Sequence, residues 1–110
     1  MAHSDTAKRQ LRVTDGVLSV NGALTTHSVV QLLPHGRAAI SSLGAGKAVL
    51  DLAQVTASDS SGWALVVDWL RTARERNLEL LVCNVPAQMA ALAKVSGLDA
   101  LLGDGETDGS

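Results

Sequence analysis

The sequence of 110 residues is poor in aromatic side chains, with two tryptophans and neither phenylalanine nor tyrosine. A hydrophobic core must therefore consist mainly of Leu, Val, Ile and Ala. Single-stranded nucleic acids usually stack their bases on aromatic side chains, and this sequence offers no such platform. We therefore predict that nucleic acid is not a partner.

Cysteine, basic clusters and long apolar stretches are also scarce. Cys83 is the only cysteine, which excludes an internal disulfide, and its apolar neighbours predict a small buried core residue. Nine basic and 11 acidic residues give a net charge of −2 without any basic run, which argues against anionic surfaces as partners. No apolar stretch approaches the roughly 18 residues that a bilayer span needs, and the polar N-terminus does not resemble a signal peptide. We expect a cytoplasmic chain with no direct membrane insertion.

Between two polar ends, strand and helix patterns alternate along the chain. Residues 1–9 and the acidic, glycine-rich residues 103–110 are predicted to be flexible, and residues 10–102 to form one domain. The predicted order is β-β-α-β-α-β-α-α. This order predicts an α/β fold, with a mixed central sheet of about four strands covered by helices.

Turn and cap residues set the predicted boundaries of these elements. Asp15 and Gly16 predict a hairpin between two alternating strands, the second of which ends near Gly22. A first helix carries Pro34, which predicts a kink or a late helix start. The later elements are a strand at 48–52, a loop at 55–59, a helix at 62–76, a strand at 78–82, a helix from Pro86 and a short final helix at 98–102.

The junction between the central strand and the longest helix concentrates polar, helix-capping residues. Asp59, Ser60 and Ser61 are preferred N-cap types, and Gly62 allows another backbone to approach closely. The free N–H groups of a helix start also favour a phosphate or a carboxylate. The junction is interpreted either as a helix cap alone or as a functional site.

A helical projection at about 100° per residue divides the helix that follows into faces. One side is predicted to face the sheet (Trp63, Val66, Leu70, Ala73) and another to face solvent (Asp68, Arg71, Thr72, Glu75). Leu65 and Trp69 fall on a flank beside Arg76. Either these three residues form a partner-binding patch, or the final helix covers the flank.

No catalytic constellation is evident in the sequence. The three histidines lack metal-ligand spacing, residues 44–47 carry only part of a phosphate-binding loop, and Asp51 is interpreted as structural. We therefore predict no catalytic residue, no metal and no cofactor.

Three segments together resemble the STAS domain family: residues 49–52, Val55 and residues 59–65. The resemblance extends over about residues 11–102 and implies a STAS fold that binds other proteins and catalyses no reaction. In the anti-anti-sigma factors of this family the first hydroxyl after the aspartate is phosphorylated, and here that position is Ser60. Trp63 departs from the family, in which many relatives carry a smaller aliphatic residue.

Two further segments, residues 62–74 and 85–102, are similar to the STAS subunit of the Mla phospholipid transporter. This resemblance implies a subunit that binds the ATPase of an ABC transporter at the inner membrane, with Asp59, Ser60, Ser61 and Gly62 at the contact. The alternative is an anti-anti-sigma factor that binds an anti-sigma factor kinase and is regulated by phosphorylation of Ser60. The two functions differ in whether the Ser60 contact is constitutive or reversible.

Overall fold

Four strands form one mixed sheet in the order β1-β2-β3-β4 in the computed structural model, which describes residues 9–97. β1 and β2 are antiparallel, whereas β2 with β3 and β3 with β4 are parallel. The bounds are Leu11–Thr14 for β1, Val17–Leu24 for β2, Gly46–Ser58 for β3 and Leu78–Cys83 for β4. Asp15 and Gly16 join β1 to β2 with φ values of 51° and 77°, as the predicted two-residue hairpin requires. The predicted α/β fold with four strands is confirmed.

Three helices follow β2, β3 and β4 in turn: α1 is Thr26–Leu43, α2 is Ser60–Glu75 and α3 is Ala87–Ser96. The Thr25 side chain accepts a hydrogen bond from the Ser28 N–H, and the Ser28 hydroxyl accepts one from the Thr25 N–H. This reciprocal cap fixes the start of α1 directly after β2. α1 and α2 also pack against each other, because both connect parallel neighbouring strands.

The core lies between these helices and one face of the sheet. Side chains of β3 and β4 alternate between this face and the opposite one, and those toward the helices are buried (Ala48, Leu50, Leu52, Leu78, Leu80, Val82). On the opposite face Leu81 is 48% exposed. The helices therefore cover one face of the sheet within residues 9–97.

Several predicted boundaries need correction. β2 continues past Gly22 to Leu24, and β3 extends to Ser58 where a loop was predicted from Val55. Exposed residues interrupt the apolar pattern at Ala23 in β2 and at residues 53–54 and 56–57 in β3, and two shifts in the pairing register further obscure the alternation. α1 begins eight residues before Pro34, so the predicted late start is wrong: the capping box determines the start.

The predicted helix after β3 is confirmed with shifted ends, since it begins at Ser60 and ends at Glu75. Cys83 is only partly buried, because it lies on the sheet face opposite the helices. The predicted final helix at 98–102 lies outside the described residues, as do the predicted flexible ends apart from Arg9. No helix within the described range is long and apolar enough to cross a membrane.

Candidate functional site

The carboxyl ends of β2 and β3 bring the predicted polar junction to one edge of the sheet. Asp59 is the N-cap of α2, and its Oδ1 accepts a hydrogen bond from the Ser61 N–H at 2.8 Å. The Asp59 N–H donates to the Leu24 carbonyl at 3.3 Å, which ties the junction to the end of β2. The interpretation of Asp59 as a helix cap is therefore correct.

Ser61 has a structural partner on the neighbouring helix. Its hydroxyl lies 2.9 Å from the hydroxyl of Thr26, so the two share a hydrogen bond. Thr26 and Ser61 belong to the first turns of α1 and α2, and the bond joins the two helix starts. This pairing spans 35 positions in the sequence and has no local sequence signal.

Gly62 is required by close packing. A Cβ atom at this position would overlap the hydroxyl of Ser58 and lie 3.3 Å from the Leu24 Cβ. The absence of a side chain lets the first turn of α2 lie directly against the ends of β2 and β3. The close approach predicted at Gly62 is therefore made by the chain's own strands, β2 and β3.

Ser60 is exposed, as Asp59 is, but unlike the side chains of Asp59 and Ser61 its hydroxyl forms no hydrogen bond within residues 9–97. It is the first residue of α2, where the helix N–H groups and the helix dipole favour a nearby negative charge. Of the four predicted junction residues, Ser60 is the one whose side chain is fully available to another molecule.

The predicted patch of Leu65 and Trp69 is wrong, since both side chains are 0% exposed. The Trp69 ring lies against Gly36 of α1, where any Cβ atom would overlap it, and its Nε1 donates to the Leu33 carbonyl at 3.3 Å. α1 therefore covers this flank at Trp69. Arg76 is exposed and is the C-cap residue of α2.

The sheet-facing prediction for α2 is largely confirmed. Val66 and Ala73 are buried, and Leu70 is partly buried against the core. Trp63 is also buried, and its Nε1 donates to the Met89 carbonyl of α3 at 2.7 Å. The larger side chain at this position therefore anchors α3 to the first turn of α2.

A second bond fixes α3 beside the junction. The Gln88 Oε1 accepts a hydrogen bond from the Ser58 N–H at 3.1 Å, and Met89 is fully buried. Together with Trp63, these contacts hold the start of α3 next to the N-terminus of α2. The sequence does not indicate these two hydrogen bonds, because their partners lie 26 and 30 positions apart.

The available surface of α2 starts at Ser60 and continues along Ala64, Val67 and Arg71. We call these four residues the open face. They follow spacings of four, three and four, which places them on one side of a helix. They border a shallow depression of about 370 Å³ between α2 and α3, to which Leu92 contributes. The helical spacing from Ser60 could have identified this face from the sequence.

An ion pair lies at the border between this surface and α1. The Arg37 Nε and Nη2 donate to the two carboxylate oxygens of Asp68 at 2.8 and 2.6 Å. The hydrogen bond and the charge of Asp68 raise the pKa of Arg37 above its ordinary value. Both groups remain solvent-accessible, so the pair contributes more to the orientation of α1 and α2 than to stability.

The mixed four-stranded sheet and the exposed serine at the N-terminus of the helix after β3 agree with what the STAS resemblance implies. A family model described as "Mlab, STAS domain" matches residues 7–103. The chain belongs to the STAS domain family, whose members are generally regulatory proteins or subunits.

Several solved structures align with this chain, among them the following two. The unphosphorylated form of SpoIIAA, an anti-sigma factor antagonist, aligns with a TM-score of 0.64 and 23% identity, over 81% of this chain and 80% of that one. The structure described as Mglu aligns with a TM-score of 0.58 and 20% identity, over 76% of this chain but 21% of that one. The search of curated proteins found no match. At these identities the structural likeness establishes the fold.

Proposed function

We propose that this chain is a non-enzymatic STAS subunit that binds and supports the cytoplasmic ATPase of an ABC-type phospholipid transporter. Its place would be at the inner membrane, held there by the partner complex, in a pathway that maintains outer-membrane lipid asymmetry. The observation that carries the proposal is the exposed Ser60 at the head of the open face. The description of the matching family model, which names Mlab, supports the transporter branch of the family.

The open face suits a helix-mediated contact of this kind. Ser60 and Ala64 have small side chains, so a partner can approach the α2 backbone closely. The positive end of the α2 dipole lies at Ser60 and favours a carboxylate or a carbonyl of the partner there. The Thr26–Ser61 bond and the Trp63–Met89 bond hold this turn in place before binding, which lowers the entropic cost of association.

Co-expression with the ABC ATPase encoded in the same genome tests the proposal. A tagged full-length chain is expected to retain the ATPase on an affinity column, and Ser60→Glu to lose it. Ser42→Glu is the matched control, because Ser42 is also exposed but lies at the far end of α1. Failure of the wild-type chain to retain the ATPase, or equal retention by Ser60→Glu, would contradict the proposal.

An anti-anti-sigma factor is the second candidate function. The observation that favours it is the same exposed and unbonded Ser60 hydroxyl, which a kinase could reach at a helix start that favours phosphate. Incubation with the cognate anti-sigma factor kinase and ATP would distinguish the two functions. One added phosphoryl group on wild type and none on Ser60→Ala supports this alternative, whereas no modification of wild type supports the transporter subunit.

A further inference from the structure

The outer edge of β4 is an unusual feature of the sheet. β4 is an edge strand that pairs with β3 over six consecutive residue pairs without a bulge, and no other strand within residues 9–97 pairs with it. Its sequence, Leu-Glu-Leu-Leu-Val-Cys, contains no proline and a single charge. Edge strands expose unpaired N–H and C=O groups, and proteins usually block them with proline, bulges or inward charges. Within the described residues, β4 has no proline, no bulge and no inward charge to block its edge.

A groove runs beside this edge, between β4 and the second half of α2. Its volume is about 700 Å³, and Leu70, Leu78 and Leu80 form its apolar floor. Val67 and Arg71 line both this groove and the depression near Ser60, so the two are continuous along α2. An apolar groove beside an edge strand is the arrangement in which extended peptides add to a sheet.

The rim of the groove carries positive charge. Arg71 and Arg74 line it from α2, both are exposed, and no carboxylate within the described residues forms a salt bridge with either. Glu79 is the acidic residue of the lining, but it lies directly opposite Lys47 in the β3–β4 register, which offsets its charge. The rim therefore complements carboxylates.

We propose that the β4 edge and this groove bind an extended segment of a partner protein as an added strand. Alternate side chains of an extended segment share one side. On the side toward α2, apolar residues contact the Leu70, Leu78 and Leu80 floor and carboxylates pair with Arg71 and Arg74. The chain's own residues 103–110 are acidic as well, but they lack apolar side chains and are rich in glycine, which is unfavourable in strands. This surface shares Val67 and Arg71 with the open face but does not include Ser60.

Selection from a random peptide display library on the full-length chain tests this proposal. The enriched sequences are expected to carry apolar residues and Asp or Glu at every second position, on the side of the strand that faces α2. A synthetic peptide of the enriched sequence is expected to shift the NMR amide signals of Leu78–Cys83. Its affinity is expected to fall about tenfold or more for the Arg71→Glu/Arg74→Glu variant, because like charges then meet at the rim.

The controls separate this surface from its alternatives. Arg76→Glu, at an exposed arginine outside the groove, is expected to bind the peptide like wild type, and so is Ser60→Glu. Matched melting curves show that each variant is folded. The proposal is overturned if no peptide is enriched, if the enriched peptides lack acidic residues, or if they map away from β4. A further variant removes the acidic charges of residues 103–110 by Asp104→Asn, Glu106→Gln and Asp108→Asn. If this variant binds the peptide about tenfold more tightly than wild type, the groove binds the chain's own tail and the proposal is overturned.

Discussion

The two flanks of α2 differ in burial and have opposite roles in the structure. On the flank toward α1, Leu65 and Trp69 are both 0% exposed. On the open face, Ser60, Ala64 and Arg71 are exposed and Val67 is partly so. The large apolar side chains hold the fold, and the small and polar ones are available to partners.

This difference shows why residue type alone wrongly predicted an exposed patch at Leu65 and Trp69. Tryptophan is enriched at interface hot spots, yet it buries a large apolar area in any setting, including a core. α2 packs against both the sheet and α1. More of the helix circumference is therefore buried than contact with the sheet alone would bury. A tryptophan that lies about 100° around the helix from the sheet-facing side therefore packs against α1.

Replacement of Trp69 is the strongest test of the comparison. Trp69→Ala is expected to destabilise the domain by about 3–5 kcal/mol, because it leaves a large cavity against α1. Arg76→Ala, at an exposed residue of the same helix, is the control and is expected to unfold like wild type. Thermal and denaturant unfolding measure both. A Trp69→Ala variant with unchanged stability and lost partner binding would reverse the assignment of the two flanks.

Gly62→Ala tests the close packing beneath the open face. The added methyl group overlaps the Ser58 hydroxyl, and overpacking of this kind costs about 1–3 kcal/mol. The double variant Gly62→Ala/Ser58→Ala removes the overlapping oxygen and is expected to recover much of the lost stability. Equal destabilisation in single and double variants would show that the Leu24 contact, at 3.3 Å, sets the limit instead.

Ser60 is expected to separate binding from stability. Ser60→Glu and Ser60→Ala should each change the free energy of unfolding by no more than about 0.5 kcal/mol, as exposed substitutions usually do. Ser60→Glu is expected to weaken binding of the ATPase more than Ser60→Ala does, because it adds bulk and charge at a small-residue contact. Quantitative pull-down with matched melting curves tests this. Equal affinity of Ser60→Glu and wild type would remove Ser60 from the interface.

The Arg37–Asp68 pair at the border of the two flanks is expected to give the smallest effect. Arg37→Gln should lower the melting temperature slightly at low salt, and the difference should vanish near 1 M salt, where the Debye length is about 3 Å. Arg12→Gln is the control, because Arg12 is exposed and forms no salt bridge within the described residues. A salt-independent loss in Arg37→Gln would indicate that the arginine acts through packing.

The sequence allowed prediction of the elements and of the site's location, because both depend on local signals. Asp15-Gly16 indicated the hairpin, and Asp59 and the residues after it indicated the start of α2. The contacts that decide which side chains are available are not local: Trp69 meets Gly36 on another helix, Ser61 meets Thr26, and Trp63 meets Met89. Helical periodicity gives the direction of a side chain, but the position of the neighbouring helix depends on the assembled fold.

The contact between Gly36 and Trp69 also constrains how the sequence can diverge. The α1 backbone and the indole ring occupy a fixed space, so a side chain gained at position 36 requires a smaller one at position 69. Either change alone creates an overlap or a cavity, whereas the two together preserve the total volume, so their effects on stability are strongly non-additive. Substitutions at positions 36 and 69 are therefore expected to occur together. A STAS domain that carries a bulkier residue at the position of Gly36 is expected to lack the tryptophan.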